Sequence, residues 1–538
     1  MNPAILPIVF LAAYAGAASA LPKLWPSSPD DPVAQKWRLE PGARWTQENG
    51  EMVLEVVYDD AGHDEFGAVF AIDGAALHDR TFRLRGEMAL DGVARPKDAP
   101  GFCGAKFMMS YTTHGVADYP EPGNMVRTGT TDWKALERAF PGFPDDVVSA
   151  DLTLGIQGGT GRVRYRRLRL EDVPTYKPEL PVGFQCEYTD ACRDLPRLRG
   201  VMSPTVGNLG EKDIRDLAKW GANALRWQFA LTDPKFMPGV DNDTRYQCWF
   251  TNRLDHLTSL LPVFKECGIQ VILDCHAPPG GRGGKVAVLG TAGADATKDV
   301  DIAATAFMMF HDKAYLDRFI DNWREVARRF KDEPAIAAYD LVNEPDQKTS
   351  VTFDYLWIQE AAAKAIREID PEKPIIVSVN EWANPKAFGY MRPIPVRNVI
   401  YTFHMYEPGD YTHQGVGTDF SKQRAGHLIA YPGGGRDKAW VRTVMDPARR
   451  FQTKWGARIY VGEFGVIRFA PGAAQYLEDI LSIFEEYGWD WSYHAFREWY
   501  NWSAEHSDDI NDLKPTAAPT ERLQVLLKYY KRKNIQIQ

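Results

Sequence analysis

Two glutamates stand where an apolar run of the chain stops: Glu344 in "AIAAYDLVNEP" (335–345) and Glu463 in "ARIYVGEFGV" (457–466). Paired carboxylates suit acetal hydrolysis, in which one protonated acid donates to the departing oxygen and one ionised partner stabilises or captures the positive sugar carbon. The same residue type must then titrate differently at the two places. An upward shift of about two units for the acid, roughly 2.7 kcal/mol, is expected from desolvation and the neighbouring carboxylate. The competing reading is a pair of structural carboxylates satisfied by Arg or backbone donors. Pro345 cannot donate to a strand ladder, so the strand is expected to stop there and hold Glu344 at its rim; Gly462 and Gly465 leave space beside Glu463 for another backbone or a ligand.

Such residues need a scaffold that brings distant strand ends together. After residue 196 strand and helix signals alternate, with strands in "RLRGVMS", "ANALRWQFA", "IQVILDCHAP", "AIAAYDLVNEP", "PIIVSVNEW", "NVIYTFHMYEP", "ARIYVGEFGV" and "WDWSYHAF". Each leads into a helical segment except at one poorly marked connection after "NVIYTFHMYEP". Eight such units predict an α/β fold, a (β/α)8 TIM barrel, whose active residues sit at the C-terminal strand ends. Near-continuous apolar runs fit parallel strands buried on both faces. Glu344 and Glu463, at the rims of the fourth and seventh strands, would face each other across the barrel mouth, with about 5–5.5 Å between their carboxyl groups if the reaction is a double displacement.

Five pieces of this half, "NALRW", "LDCHAP", "LVNEP", "YTFHMYEP" and "VGEFG", occur in the order and at the strand ends where glycoside hydrolase family 5 carries its motifs. The resemblance spans essentially all of residues 196 to 530 and is to the cellulase-like, retaining members of clan A. It implies Glu344 as acid/base and Glu463 as nucleophile. It further implies that Asn343 bonds the sugar 2-hydroxyl, that Arg226 keeps Glu463 ionised and oriented, that His404 and Tyr406 complete the ring of bonds around the acids, and that His276 positions a hydroxyl of the sugar before the cleavage point. Where the family carries a Trp platform on strand eight, "WSYHAFREWYNW" offers His494 or Phe496, with Trp499 and Trp502 just beyond; Trp499 is taken as the substrate-binding residue. Trp227, Trp382, Trp499 and Trp502 could each stack on a pyranose ring or simply pack in the core. No His-x-His pair marks the first strand, so no metal and no other cofactor is expected.

Residues 35 to 172 have another rhythm, short β segments such as "MVLEVVYDD" and "RVRYRRLRLED" separated by Gly, Pro and Asp turns, and predict an all-β sandwich, jelly-roll-like and similar in rhythm to carbohydrate-binding modules. Its Tyr111, Tyr119 and Trp133 are candidate stacking residues, with core packing the commoner fate of such aromatics. "MNPAILPIVFLAAYAGAASA" lacks charge and ends in small residues, as a signal peptide does, with an uncleaved anchor as the alternative. The expected organisation is therefore a signal peptide at 1–20, the sandwich at 21–176, a Pro-rich linker at 177–195 and the barrel at 196–538.

A formal net charge of -9 argues against nucleic acid or an anionic membrane as partner and suits a neutral poly- or oligosaccharide. Six cysteines show no metal-type spacing; Cys186 and Cys192 are close enough to bridge a loop, without the sequence fixing a pairing. The expectation is thus a secreted or periplasmic retaining β-glycoside hydrolase acting on a glucan- or mannan-type chain. A catalytically silent carbohydrate-binding barrel and a transglycosylase using the same site are the alternatives.

Overall fold

A computed structural model describes residues 20–531, apart from 64–65, 79, 114, 123–124, 141, 174–175, 205–208, 230–242, 283–307, 348–350 and 416–427, and without the side chains of 243–245. The expected signal peptide therefore lies, but for Ala20, outside the described residues. Two compact units result: one of the chain up to Tyr111 with Tyr119–Glu137 and Asp145–Asp172, the other of Thr112–Asp118, Arg138–Pro144 and the chain from Val173 onward.

The chain before Val173 carries strands β1 (Trp37–Leu39), β2 (Ala43–Glu48), β3 (Glu51–Tyr58), β4 (Gly67–Asp73), β5 (Phe82–Ala94), β6 (Gly104–Thr113), β7 (Val116–Asp118), β8 (Gly129–Phe140), β9 (Ser149–Gln157) and β10 (Thr160–Asp172), of which β7 and the last residues of β6 and β8 fall in the second unit. They form two five-stranded sheets, ordered β1-β4-β9-β6-β7 and β2-β3-β10-β5-β8. Alternation along β10 buries Val163 and Tyr165, and a register shift between Arg166 and Arg169 then turns Leu168 in, while its arginines meet glutamates, Arg164 to Glu48 at 2.7 Å and Arg166 to Glu87 at 2.6 Å. Trp133 lies under the Arg166 guanidinium at 4.2 Å, which occupies a face of that half-buried ring.

The second unit holds a closed barrel of eight strands in chain order: β11 (Arg199–Met202), β12 (Ala224–Gln228), β13 (Gln270–Asp274), β14 (Ile336–Asp340), β15 (Ile375–Ser378), β16 (Val399–Met405), β17 (Arg458–Phe464) and β18 (Asp490–Tyr493). Neighbours run parallel, and β11 closes on β18. All eight fall in the segments expected from the sequence. Side chains sort by parity. Ala224, Ile272, Ala338, Ile376, Ile400 and Tyr460 fill the interior, while Leu225, Trp227, Leu273, Tyr339, Tyr401 and Val461 join the larger core outside the strands. Trp227 is thus a packing residue, beneath Arg253 at 5.2 Å.

One connection differs from the expectation. The helix after β16 is present, at Lys438–Trp455; the connection without a long helix follows β15, where only Asn380–Ala383 and the 3-10 turn Pro385–Gly389 intervene before β16. Left-handed φ values of 56°, 61° and 56° at Glu381, Trp382 and Ala383 show why: the chain turns at once instead of winding. All six cysteines are thiols, Cys186 and Cys192 included.

Candidate active site

The parity that fills the barrel interior also selects the side chains at its mouth. Two residues above Ala224, Arg226 points inward and is completely buried. Its Nε donates to Asp340 Oδ2 at 2.7 Å, Nη1 to Glu463 Oε1 at 2.8 Å and Nη2 to Asn343 Oδ1 at 2.9 Å, while Asp274 Oδ1 lies 3.0 Å from Nη2. One planar fork thus engages groups from three other strands or their exits.

Glu463 reaches this fork through an irregularity. Strict alternation from inward Tyr460 would turn Glu463 outward with Val461. The register instead slips by one residue, Phe403 facing Val461 and His404 facing Glu463, so Gly462 is a bulge that turns Glu463 in. A Cβ at Gly462 would lie 2.8 Å from Thr402 Oγ1 and 2.9 Å from His404 Nε2. Any side chain there would have to push Thr402 or His404 aside.

Glu344 is presented differently. The ladder of β14 ends at Asp340, four residues before it, so Pro345 is not what ends the strand. Leu341 N–H still donates to Ile376 O and Asn343 N–H to Cys275 O, and the chain then turns through Glu344 at φ 46°. Left-handed backbone at a glutamate is strained, a feature that concentrates at functional sites. Its Oε1 accepts from His404 Nδ1 at 2.8 Å and its Oε2 from Arg282 Nη1 at 3.3 Å. His404 Nδ1 is also 3.6 Å from Glu463 Oε2, between the two acids. Carboxylate oxygens of Glu344 and Glu463 and a ring nitrogen of His404 all lie within 4.8 Å of one another. A cation could be drawn to those three atoms, but it would have to displace the bonds each already makes and sit beside Arg226 and Arg282.

The other sequence-predicted residues join the same system. Asp274 Oδ2 accepts from His276 Nδ1 at 2.9 Å, and His276 Nε2 is 3.3 Å from Asn343 Nδ2. With Arg226 bridging Asn343 and Asp274, the four side chains close a ring. Tyr406 donates to Glu463 Oε2 at 3.0 Å. Next to it, at the exit of β18, stands His494, backed by Trp502 with ring centroids 5.7 Å apart. Phe496 is core, edge-on to Trp220. Trp499 lies half-buried against Tyr500.

Burial opposes the charge of Arg226, yet Asp274, Asp340 and Glu463 together hold it charged, well above its ordinary range. The cation is shared unequally. Burial pushes Asp274 and Asp340 up to about 7 despite Arg226, whereas Glu463, with His404, His494 and Arg226 outweighing its burial, is held well below the usual carboxylate range. Glu344 is pushed up by burial and Glu463 but pulled down further by His404 and Arg282. The upward shift expected for it is absent in the free site, because two donors already sit on its oxygens. His276 is pushed down to about 3 by burial and Arg282, so it is neutral and offers Nε2 as an acceptor to Asn343.

The family model described as cellulase (glycosyl hydrolase family 5) matches residues 191–505. The chain belongs to glycosyl hydrolase family 5. Among relatives of this family 5 chain, Endoglucanase C of Acetivibrio thermocellus is 27% identical over 311 residues, covering 53% of this chain and 83% of that protein. Cellodextrinase A of Ruminococcus flavefaciens is 25% identical over 284 residues, covering 52% and 75%. Mannan endo-1,4-beta-mannosidase 7 of Oryza sativa subsp. japonica is 24% identical over 200 residues, covering 35% and 51%. Thermotoga maritima Cel5A, solved in complex with cellobiose, is 17% identical with a TM-score of 0.46, covering 63% of this chain and 100% of that one. The family 5 chain is accordingly a glycosidase, a β-glycoside hydrolase acting on O-glycosyl bonds. Its site contains four participants that the sequence reading passed over: Asp274, Asp340, Arg282 and Glu498. Asp274 had a signal, lying two residues before His276 in "LDCHAP" and hence on the same face of the strand end.

Proposed function

We propose that this family 5 enzyme is a retaining hydrolase of β-linked glucan- or mannan-type poly- or oligosaccharides, with Glu463 as nucleophile and Glu344 as acid/base. The observation that carries the reading is the approach of their oxygens to within 4.8 Å. Double displacement works at a carboxyl separation of about 5–5.5 Å, whereas inversion needs about 6.5–9.5 Å to admit a water. Relatives named endoglucanase, cellodextrinase and mannosidase support a β-linked glucan or mannan as substrate.

In the first step Glu463, ionised and held by Arg226 and Tyr406, attacks the anomeric carbon while Glu344, protonated once the bound sugar displaces the donors that keep it ionised in the free site, gives that proton to the leaving oxygen. The negative charge of Glu463 is one of the influences that push Glu344 up. Once Glu463 is esterified to the sugar that influence is gone, and Glu344 ionises more readily, as the base that activates water in the second step must. Asn343 gives one amide hydrogen to His276 and keeps the other for the sugar 2-hydroxyl, so His276 acts on the sugar through Asn343. Trp499, half-buried where Trp502 is buried, has a face left to offer a pyranose ring. Residues 1–20 export the enzyme, which N-terminal sequencing of the recovered protein would place at Leu21.

An activated 2-deoxy-2-fluoro β-glycoside tests the reading. It should label the peptide containing Glu463, and NMR of the first product should show the β anomer. Label on another peptide, or the α anomer first, overturns it.

A further inference from the structure

Beyond Glu463 the hydrogen bonds continue into the wall past β18. Tyr406 Oη lies 3.0 Å from Glu463 Oε2 and 2.6 Å from His494 Nδ1, and His494 Nε2 lies 2.9 Å from Glu498 Oε2. The sequence carboxylate, phenol, imidazole, carboxylate has a proton inventory that can be counted. Both ends only accept, the phenol brings one hydrogen, and a neutral imidazole brings one more. Three bonds need three hydrogens. All three therefore form only with His494 as imidazolium: Nε2–H to Glu498, Nδ1–H to the phenol oxygen, and the phenol hydrogen to Glu463. When His494 gives up a proton to solvent, Glu498 retains the remaining one on Nε2, Nδ1 becomes an acceptor, and it competes with Glu463 for the single phenol hydrogen.

We propose that Glu498 and His494 are positioning residues that aim the Tyr406 hydroxyl at Glu463, and that loss of the His494 proton redirects that hydroxyl and closes activity on the alkaline side. The inference rests on the assignment of Glu463 as nucleophile. The titratable and charged groups that bear on His494 include Glu498 beside it, Tyr406 past β16, Glu463 on β17, Glu344 past β14, His404 between the acids, and His413 after the turn Gly409–Thr412. Arg497 is turned to Asp213, Asp216 and Glu505. Burial works against a charge on His494, but Glu498, Glu463 and Glu344 outweigh it and raise its titration above the ordinary histidine range. His413 is pushed down to about 4 by burial and His494, so it is neutral and adds no repulsion. Tyr406 is held protonated, well above its usual range, by burial and both glutamates, so the phenol keeps its hydrogen throughout. The sign follows: the Tyr406 to Glu463 bond is present below the His494 titration and lost as pH rises through it.

An aryl β-glycoside whose phenolate leaves unprotonated removes the need for the Glu344 proton, so the alkaline limb of its kcat/KM profile reads His494. Glu498→Gln should move that limb about one pH unit toward acid, and Glu498→Asp, which keeps the charge, should restore part of the shift. In the parent enzyme, 15N NMR at neutral pH should find both ring nitrogens of His494 protonated, a readout that needs no variant. A limb that coincides in parent and Glu498→Gln, or a neutral His494 ring, overturns the proposal. Fluoro-sugar labelling separates the two claims: if Glu463 is labelled and the limb does not move, only the positioning pair falls; if Glu463 is not labelled, the assignment beneath it falls too.

Discussion

Taking the guanidinium from Arg226 leaves Asp274, Asp340 and Glu463 without the cation that lies 3.0, 2.7 and 2.8 Å from them. Arg226→Met should therefore cost about 3–5 kcal/mol of stability, read by urea unfolding, together with hydrolysis. Arg226→Lys should recover little, since a single ammonium cannot satisfy a fork of that span. Asp340 allows a test of the unequal sharing. Its carboxyl stands at about 7 in the fold and about 3.9 unfolded, so the folded state binds the proton more tightly. That contribution is complete below the unfolded value and lost as pH rises toward 7. Between pH 5 and 8, Asp340→Asn should lose roughly 2–3 kcal/mol less stability than the parent; equal losses would show Asp340 to be ionised throughout. Glu344 and Glu463 were legible because each interrupts an apolar run near a strand end, whereas Asn343 and Arg226, the latter in the middle of its strand, were singled out only through the resemblance to family 5. Asp340 was not legible, because an acid closing a strand looks the same whether it meets water or a buried guanidinium; Asp274 closes its strand in the same way, and its one mark was its place two residues before His276. His494, one of four residues read as candidate platforms for the sugar, is bonded through both ring nitrogens to Tyr406 and Glu498, partners the sequence did not suggest.

The bulge on β17 makes an equally local demand. A methyl group at Gly462 would press on Thr402 and on His404, the side chain between the two acids. Gly462→Ala is expected to lower kcat/KM about 100-fold by misplacing that histidine, with the far-UV circular dichroism unchanged. Activity within two-fold of the parent would mean that His404 tolerates the shift. Strand positions were readable because parallel strands buried on both faces leave long apolar words. The bulge was not, since one inserted residue leaves no mark on composition, and the end of β14 was misjudged because Pro345 is a louder signal than the turn at Glu344 that precedes it. The missing helix after β15 had no signal beyond the shortness of the segment that replaces it.

For the molecule as a whole, the cysteines give a direct check. Cys103, Cys192 and Cys275 are buried, Cys186 is pushed up to about 11 by burial, and Cys248 is exposed. Thiol titration in denaturant without reductant should return six groups, and in the folded protein Cys248 should react first; four groups would mean a bridge that this structure lacks. Both units, the sandwich and the barrel, were legible from the change of rhythm, two-residue alternation giving way to strand and helix in turn. What surrounds the acids has a consequence for the whole barrel. Arg226 on β12 fastens to groups on or just beyond β13, β14 and β17, so it works like a drawstring pulled through the rim. A protein laced this way cannot retune its sugar preference by editing the knot without slackening the vessel. New specificities must be written in the segments that rise beyond the strand ends, where a change leaves the lacing tied.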